Sequence, residues 1–290
     1  MKNELLNVVL IQNNPIDCKN LAQVRQNIDA TLNWMDKACT AYPDVDIIVF
    51  NEFVIQGGNP SPDEDIAFAI PCEDMMPLLN KCRERGVWAT FNFQEKDEGK
   101  LYNTSIIVDD KGEIKLKYRK VNTFVPLETN CPGDEFVVCK GPKGAIFGMM
   151  ICYDGDFPEA GRELAYKGAN VFIRMTGYME PYSGPWGFTN RARAYENAAY
   201  VLACNRSGNG SIFSWFGKSE IVDYEGNVIA RAPEGIEWMM KSEICPSAAD
   251  EKRKKKAVFN HLYNIKHRGY TAHDGCEHTV NPYSYYRDWK

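Results

Sequence analysis

At 290 residues, with 44% apolar residues and a net charge of −5, the chain is long and apolar enough for a sizeable α/β core. The mild acidity argues against a nucleic-acid partner, and no apolar run approaches the length of a membrane span. Glu4 and Asn7 break the N-terminal apolar stretch, so no export signal is read there and a cytoplasmic protein is expected.

LLNVVLIQ reads as a strand. Residues 21–42, with Val24, Ile28, Leu32 and Met35 at helical spacing, read as an amphipathic helix. VDIIVF is a buried-type strand, residues 75–85 a helix and VWATFNF a strand. LYNTSIIVDDKGEIKLKYRK reads as a hairpin turning at Asp109-Asp110-Lys111-Gly112. Residues 121–134 are a long irregular stretch of the kind that is often functional. AIFGMMIC, NVFIRM and AYVLACNR are strands, and residues 159–167 and 186–197 are helices. SWFGKSEIVDYEGNVIARA is a second hairpin, turning at Tyr224-Glu225-Gly226-Asn227. From Ala248 the chain is helical and then irregular.

Strands and helices alternate, but hairpins interrupt them, which predicts mixed sheets. No composition break divides the chain, so one domain is expected over residues 1–290, with residues 248–290 as a C-terminal extension. The ten cysteines include no C-x-x-C pair. Cys39, Cys82, Cys152 and Cys204 sit inside apolar or helical runs, which fits reduced thiols better than a disulfide framework.

The segment FGMMICYDGDFPE carries the most chemistry. An apolar run ends at Cys152, a Gly/Asp/Pro turn follows, and a helix comes next. A thiol at such a corner is lifted out of the sheet, as in the nucleophile elbow of hydrolases. Helix N–H groups aimed at it would favour thiolate; the plain alternative is an ordinary buried cysteine. All four histidines (His261, His267, His273 and His278) lie in the last thirty residues, so a histidine base would need the tail to fold back over the site, and the alternative is a carboxylate. Glu52 follows VDIIVF at the rim of a sheet. A partly dry pocket there would raise its pKa toward that of a useful base; otherwise it is a solvated loop glutamate. Lys120 ends KLKYRK and could hold a thiolate or an oxyanion; otherwise it belongs to a solvated edge. Glu128 lies eight residues further on. Arg174, a charge inside NVFIRM, needs a carboxylate partner if buried.

Glu52 in VDIIVFNEF, Lys120 in KYRK and Cys152 in ICYDGDFPE resemble, in order, the Glu–Lys–Cys triad of the nitrilase, or carbon–nitrogen hydrolase, superfamily. The YNTSIIVDDKGEI hairpin, the CPGDEF segment and ELAYKGANVFIR extend the resemblance over nearly the whole chain. It implies a four-layer αββα sandwich, no cofactor, and Glu128 as a fourth catalytic residue. Gly177-Tyr178-Met179-Glu180-Pro181 and the tail segments NHLYNIKHRGY and YSYYRDW resemble the aliphatic amidase and formamidase branch. Two positions differ from that branch. Tyr153 stands where His or Asp is usual, and Phe124 replaces the tryptophan of a Pro-Trp pair. Both are expected to border the substrate, together with Tyr178, which is equally readable as a core aromatic.

The resemblance implies hydrolysis of a small aliphatic amide to acid and ammonia through a cysteine thioester, with the amide and water as partners. N-carbamoyl amine or nitrile hydrolysis on the same triad is the nearest alternative, and a non-catalytic binding or assembly role the next. The branch also implies a homo-oligomer. Tyr283, Tyr285, Tyr286 and Trp289 have little to bury against in a monomer, so at least a dimer with swapped tails is expected. His273, Cys276 and His278 are metal-ligand types at close spacing, but no second pair accompanies them. The basic run after Glu251 reads as a solvated helix face.

Overall fold

The computed structural model describes residues 4–58, 63–125 and 127–259. In chain order its elements are β1 (Leu6–Gln12), α1 (Leu21–Ala41), β2 (Ile47–Phe50), α2 (Met76–Arg85), β3 (Trp88–Asp97), β4 (Lys100–Val108), β5 (Ile114–Arg119), β6 (Val138–Lys140), β7 (Ile146–Ile151), α3 (Pro158–Tyr166), β8 (Val171–Thr176), α4 (Ser183–Asn197), β9 (Tyr200–Asn205), β10 (Ser207–Asn209), β11 (Ser214–Phe216), β12 (Glu220–Val222), β13 (Val228–Arg231), β14 (Trp238–Ile244) and α5 (Pro246–Phe259).

Strands buried along their whole length, such as β1, β2, β8 and β9, lie inside the sheets. One sheet has the order β14-β1-β2-β3-β4-β5 and the other β13-β12-β9-β8-β7-β6, with β10 and β11 as a separate ribbon. β1, β2 and β3 run parallel, as do β7, β8 and β9, while the outer strands pair antiparallel. The sheets are therefore mixed. β1 and β2 pack against β8 and β9, and one apolar core takes Leu10, Ile48, Ile173 and Leu202 from the two sheets.

Helices complete the four layers. α1 begins where the Asn20 side chain accepts the Gln23 N–H at 3.0 Å, and it buries Val24, Ile28, Met35 and Ala38. α2 stops at left-handed Gly86. α3 and α4 pack together over the other sheet. Arg253 of α5 donates to the carbonyls of Ala169 and Asn197 at 2.8 and 3.0 Å. This places a cation at the C-terminus of α4, a task that the reading of a solvated face leaves out.

The structure redraws several elements. β3 and β4 form a hairpin through Glu98 and Gly99, both at positive φ. β11 pairs with β10, so the second predicted hairpin is only β12–β13. α4 starts at Ser183, and β14, absent from the sequence reading, pairs with β1. The tail segments, the His273–His278 cluster and the tail swap lie outside the described residues. The nine described cysteines are free thiols, and no described helix is long and apolar enough to cross a membrane.

Candidate active site

The chemistry collects where strands end, as ligand sites do in α/β sheets. Glu52 follows β2, Lys120 follows β5, Cys152 follows β7 and Gly177 follows β8. Glu52 and Lys120 are 0% and 1% exposed, so neither is a solvated rim residue. Lys120 Nζ lies 3.2 Å from Glu52 Oε1 and 2.6 Å from Glu128 Oε2. Asn103 Nδ2 donates to both carboxylates, to Glu52 at 2.7 Å and to Glu128 at 3.1 Å. Asn92 donates to Asn103 Oδ1 at 2.7 Å and so fixes that amide. The Gly177 N–H donates to Glu52 Oε2 at 2.8 Å, and the Phe124 N–H to Glu128 Oε2 at 2.6 Å.

This arrangement separates the two glutamates. Burial raises the Glu52 pKa, Lys120 opposes the rise, and the Glu128 charge adds to it. Burial also acts on Glu128, but Lys120 and the Phe124 N–H outweigh it and hold that carboxyl below the usual value. For Lys120, burial alone would favour the neutral amine; Glu52 and Glu128 overcome it and keep the ammonium charged. The trio is thus a fixed carboxylate, a fixed ammonium and a second carboxyl poised to exchange a proton.

Cys152 sits in a strained turn. Its φ of 47° is in the left-handed region, which costs a non-glycine residue about 1 kcal/mol or more. The surroundings hold it there. Asp154 Oδ2 accepts from the Ile151 N–H at 2.9 Å and the Tyr118 hydroxyl at 2.7 Å, and Oδ1 accepts from the Asn122 N–H at 2.8 Å. Arg174 donates to the Cys152 carbonyl through Nε at 3.0 Å and Nη2 at 2.8 Å. Its carboxylate partner is Asp156, at 2.9 Å. A Cβ on Gly155 would lie 2.0 Å from Arg174 Nε, so only glycine leaves room for the guanidinium.

The thiolate expected from a helix start is corrected here. Residues 152–156 form a 3₁₀ turn, and α3 begins at Pro158, within one residue of the expected start. Burial pushes the Cys152 thiol well above its usual range, and the Glu52 charge pushes it further; Lys120 pulls back only in part. The resting sulfur keeps its proton.

Glu52, Lys120, Glu128 and Cys152 line one chamber of about 30 Å³, with Phe124, Met179 and Trp215 among its walls. Cys152 and Phe124 also border a wider cavity of about 310 Å³ lined by Tyr153, Asp156, Tyr178 and Tyr182. Tyr178 both lines this cavity and packs in the core against Trp186, with ring centroids 5.4 Å apart. The sequence reading left Asn103, Asp154, Asp156 and Trp215 without roles. A polar Asn103 inside an otherwise buried strand was the signal available for the first.

Comparison with known proteins agrees with this architecture. The family described as Carbon-nitrogen hydrolase matches residues 8–254. A formamidase of Bacillus thuringiensis (strain Al Hakam) is 36% identical over 272 residues, covering 92% of this chain and 82% of that one. A formamidase of Nitratidesulfovibrio vulgaris (strain DP4) is 35% identical over 280 residues, covering 91% and 82%. A Saccharomyces cerevisiae member of branch 10 of the nitrilase superfamily superposes with a TM-score of 0.74 at 26% identity, over 87% of this chain and 94% of that one. An amidase from Nesterenkonia sp. shares the fold, with a TM-score of 0.74 at 19% identity over 89% and 97%. The chain belongs to the carbon–nitrogen hydrolase family of the nitrilase superfamily, with formamidases among its relatives.

Proposed function

We propose that the protein hydrolyses a small primary amide to its carboxylic acid and ammonia through a thioester on Cys152. One observation carries this reading: the buried Glu52, Lys120 and Glu128 line one chamber together with Cys152. At about 30 Å³ it is a tenth the size of the adjoining cavity of about 310 Å³, which suits it to the amide end of a substrate. The formamidase relatives support a short acyl group.

As Cys152 attacks the carbonyl carbon, its proton passes to Glu52 and the C–S bond forms. The carbonyl electrons become an oxyanion held by the Lys120 ammonium and the Tyr153 N–H. The C–N bond then breaks, and Glu52 gives its proton to the departing nitrogen, which leaves as ammonia. Water enters, Glu52 takes a proton from it, and the oxygen attacks the thioester. The acid leaves as sulfur recovers its proton from Glu52. Glu128 fixes Lys120 and can accept an N–H of the amide.

The test is ammonia release from short amides, N-carbamoyl amines and nitriles, run beside Cys152→Ala. Release from amides that the variant abolishes, with acyl mass on the peptide carrying Cys152, supports the reading; acyl mass on another cysteine refutes it. We also propose a cytoplasmic homo-oligomer. Phe188 and Ile229, large apolar residues exposed on α4 and β13, support association, and a monomeric mass by light scattering would count against it.

A further inference from the structure

With the amide end in the small chamber, the space adjoining it at Cys152 for the rest of a larger substrate is the 310 Å³ cavity, since Cys152, Phe124 and Met179 border both. Aromatic rings set its walls: Phe124 packs edge-on against Tyr153 and Tyr182, with centroids 5.0 and 5.7 Å apart. One charged side chain, Asp156, joins them. Its side chain is 26% exposed, whereas the partner Arg174 is 0% exposed and does not line the cavity. The carboxylate is therefore the charge presented to a ligand, with the guanidinium behind it.

Among the described residues lining the two spaces, the charged groups are Glu52, Glu128, Asp156 and Lys120. Lys120 is already bonded to two carboxylates. A substrate bearing its own carboxylate would lose its hydration and find no free cation. A substrate bearing an ammonium would meet Asp156 and the tyrosine rings, which also attract cations.

We propose that this cavity is the subsite for the part of the substrate beyond the amide, and that Asp156 makes it accept neutral or ammonium-bearing groups and reject carboxylate-bearing ones. The inference rests on the amidase reading above and specifies its substrate class. It sets anionic amides, N-carbamoyl amino acids included, outside the range of this site.

The test compares kcat/KM for β-alaninamide, butyramide and succinamic acid, primary amides of similar length whose far ends are cationic, neutral and anionic. The first two should exceed succinamic acid by about tenfold or more, an electrostatic preference of ordinary size. In Asp156→Asn, which keeps an acceptor for Arg174 and Tyr178, the gap should shrink. In the unaltered protein it should also shrink as salt rises from about 0.05 to about 0.5 M, a readout that does not depend on the variant folding. Succinamic acid as the best of the three, or a gap unmoved by both changes, overturns the inference. Turnover of formamide but of none of the three also overturns it and leaves the amidase reading intact. No ammonia from any amide overturns both.

Discussion

Arg174 donates two hydrogen bonds to the carbonyl oxygen of Cys152, so a fully buried cation pins the backbone of the proposed nucleophile in its left-handed turn. Nη1 donates to Thr189 and Asn190, and Nη2 is shared between the Cys152 carbonyl, Asp156 and the Tyr178 hydroxyl. Removing it leaves a carboxylate and a carbonyl without their partner. Arg174→Ala is expected to cost about 3 kcal/mol or more of stability. Arg174→Lys should fold better yet lose most of kcat, because an ammonium cannot span both acceptor sets. Urea unfolding and ammonia release on the two variants separate the effects; full kcat in Arg174→Lys would show that the pinning is unnecessary.

Lys120→Ala removes the one ammonium between two buried carboxylates. If Lys120 holds the oxyanion, kcat should fall on the order of 10²–10³. Turnover near the unaltered level would assign the oxyanion to another donor.

The rate should depend on pH in a particular way. Glu52 must be ionised to take the thiol proton, and its pKa lies above the ordinary 4.5. The acid limb of kcat/KM should therefore centre above 4.5, and move further up in Lys120→Ala, since Lys120 lowers the Glu52 value. Cys152 and Lys120 both titrate well above their ordinary 9.0 and 10.5, so no alkaline fall is expected below pH 9.0. Stability linked to Glu52 is fully present below 4.5 and lost as pH rises through its higher folded value. For Glu128 the sign reverses: its contribution is present above 4.5 and lost as pH falls through its lower folded value. An acid limb at or below 4.5 would remove Glu52 from the role of base.

Gly177 admits no side chain. A Cβ there would lie 2.7 Å from the Phe53 ring and 3.2 Å from Trp215 Nε1, while its N–H holds Glu52. Gly177→Ala should cost about 1–3 kcal/mol by overpacking and displace the Glu52 carboxylate. Kinetics and thermal unfolding of this variant should both change; a stable protein with unaltered kcat would mean that Phe53 gives way freely.

Glu52, Lys120 and Cys152 were legible in the sequence because each ends a run of strand character, and strand ends are where a sheet exposes chemistry. Glu128 had no such mark; it was found only through the family resemblance, since its partners come from a loop and from β4. Asn103 was hidden for a related reason. Its role depends on Asn92 and two carboxylates brought close by strand pairing, which local patterning does not encode. The protonation of Cys152 was misread because the helix start is local, whereas the buried Glu52 and Glu128 that oppose ionisation are distant in sequence. β14 escaped because WMMKSEI mixes exposed and buried positions without alternation. The mixed sheets followed directly from hairpins set among alternating strands and helices.

The pairing of β1 with β14, Leu6 opposite Ile244, has a consequence for how the protein is made. β1 is translated well before β14, with one edge available to β2, but the partner for its other edge lies more than 220 residues further along the chain. At about 5–20 residues per second, that edge stays unpaired for roughly ten seconds or more. During that interval the nascent chain carries a largely apolar strand with an open hydrogen-bonding side, the kind of edge that pairs with other chains. A chain truncated before Trp238 would carry the proposed catalytic residues with its first sheet permanently unsealed.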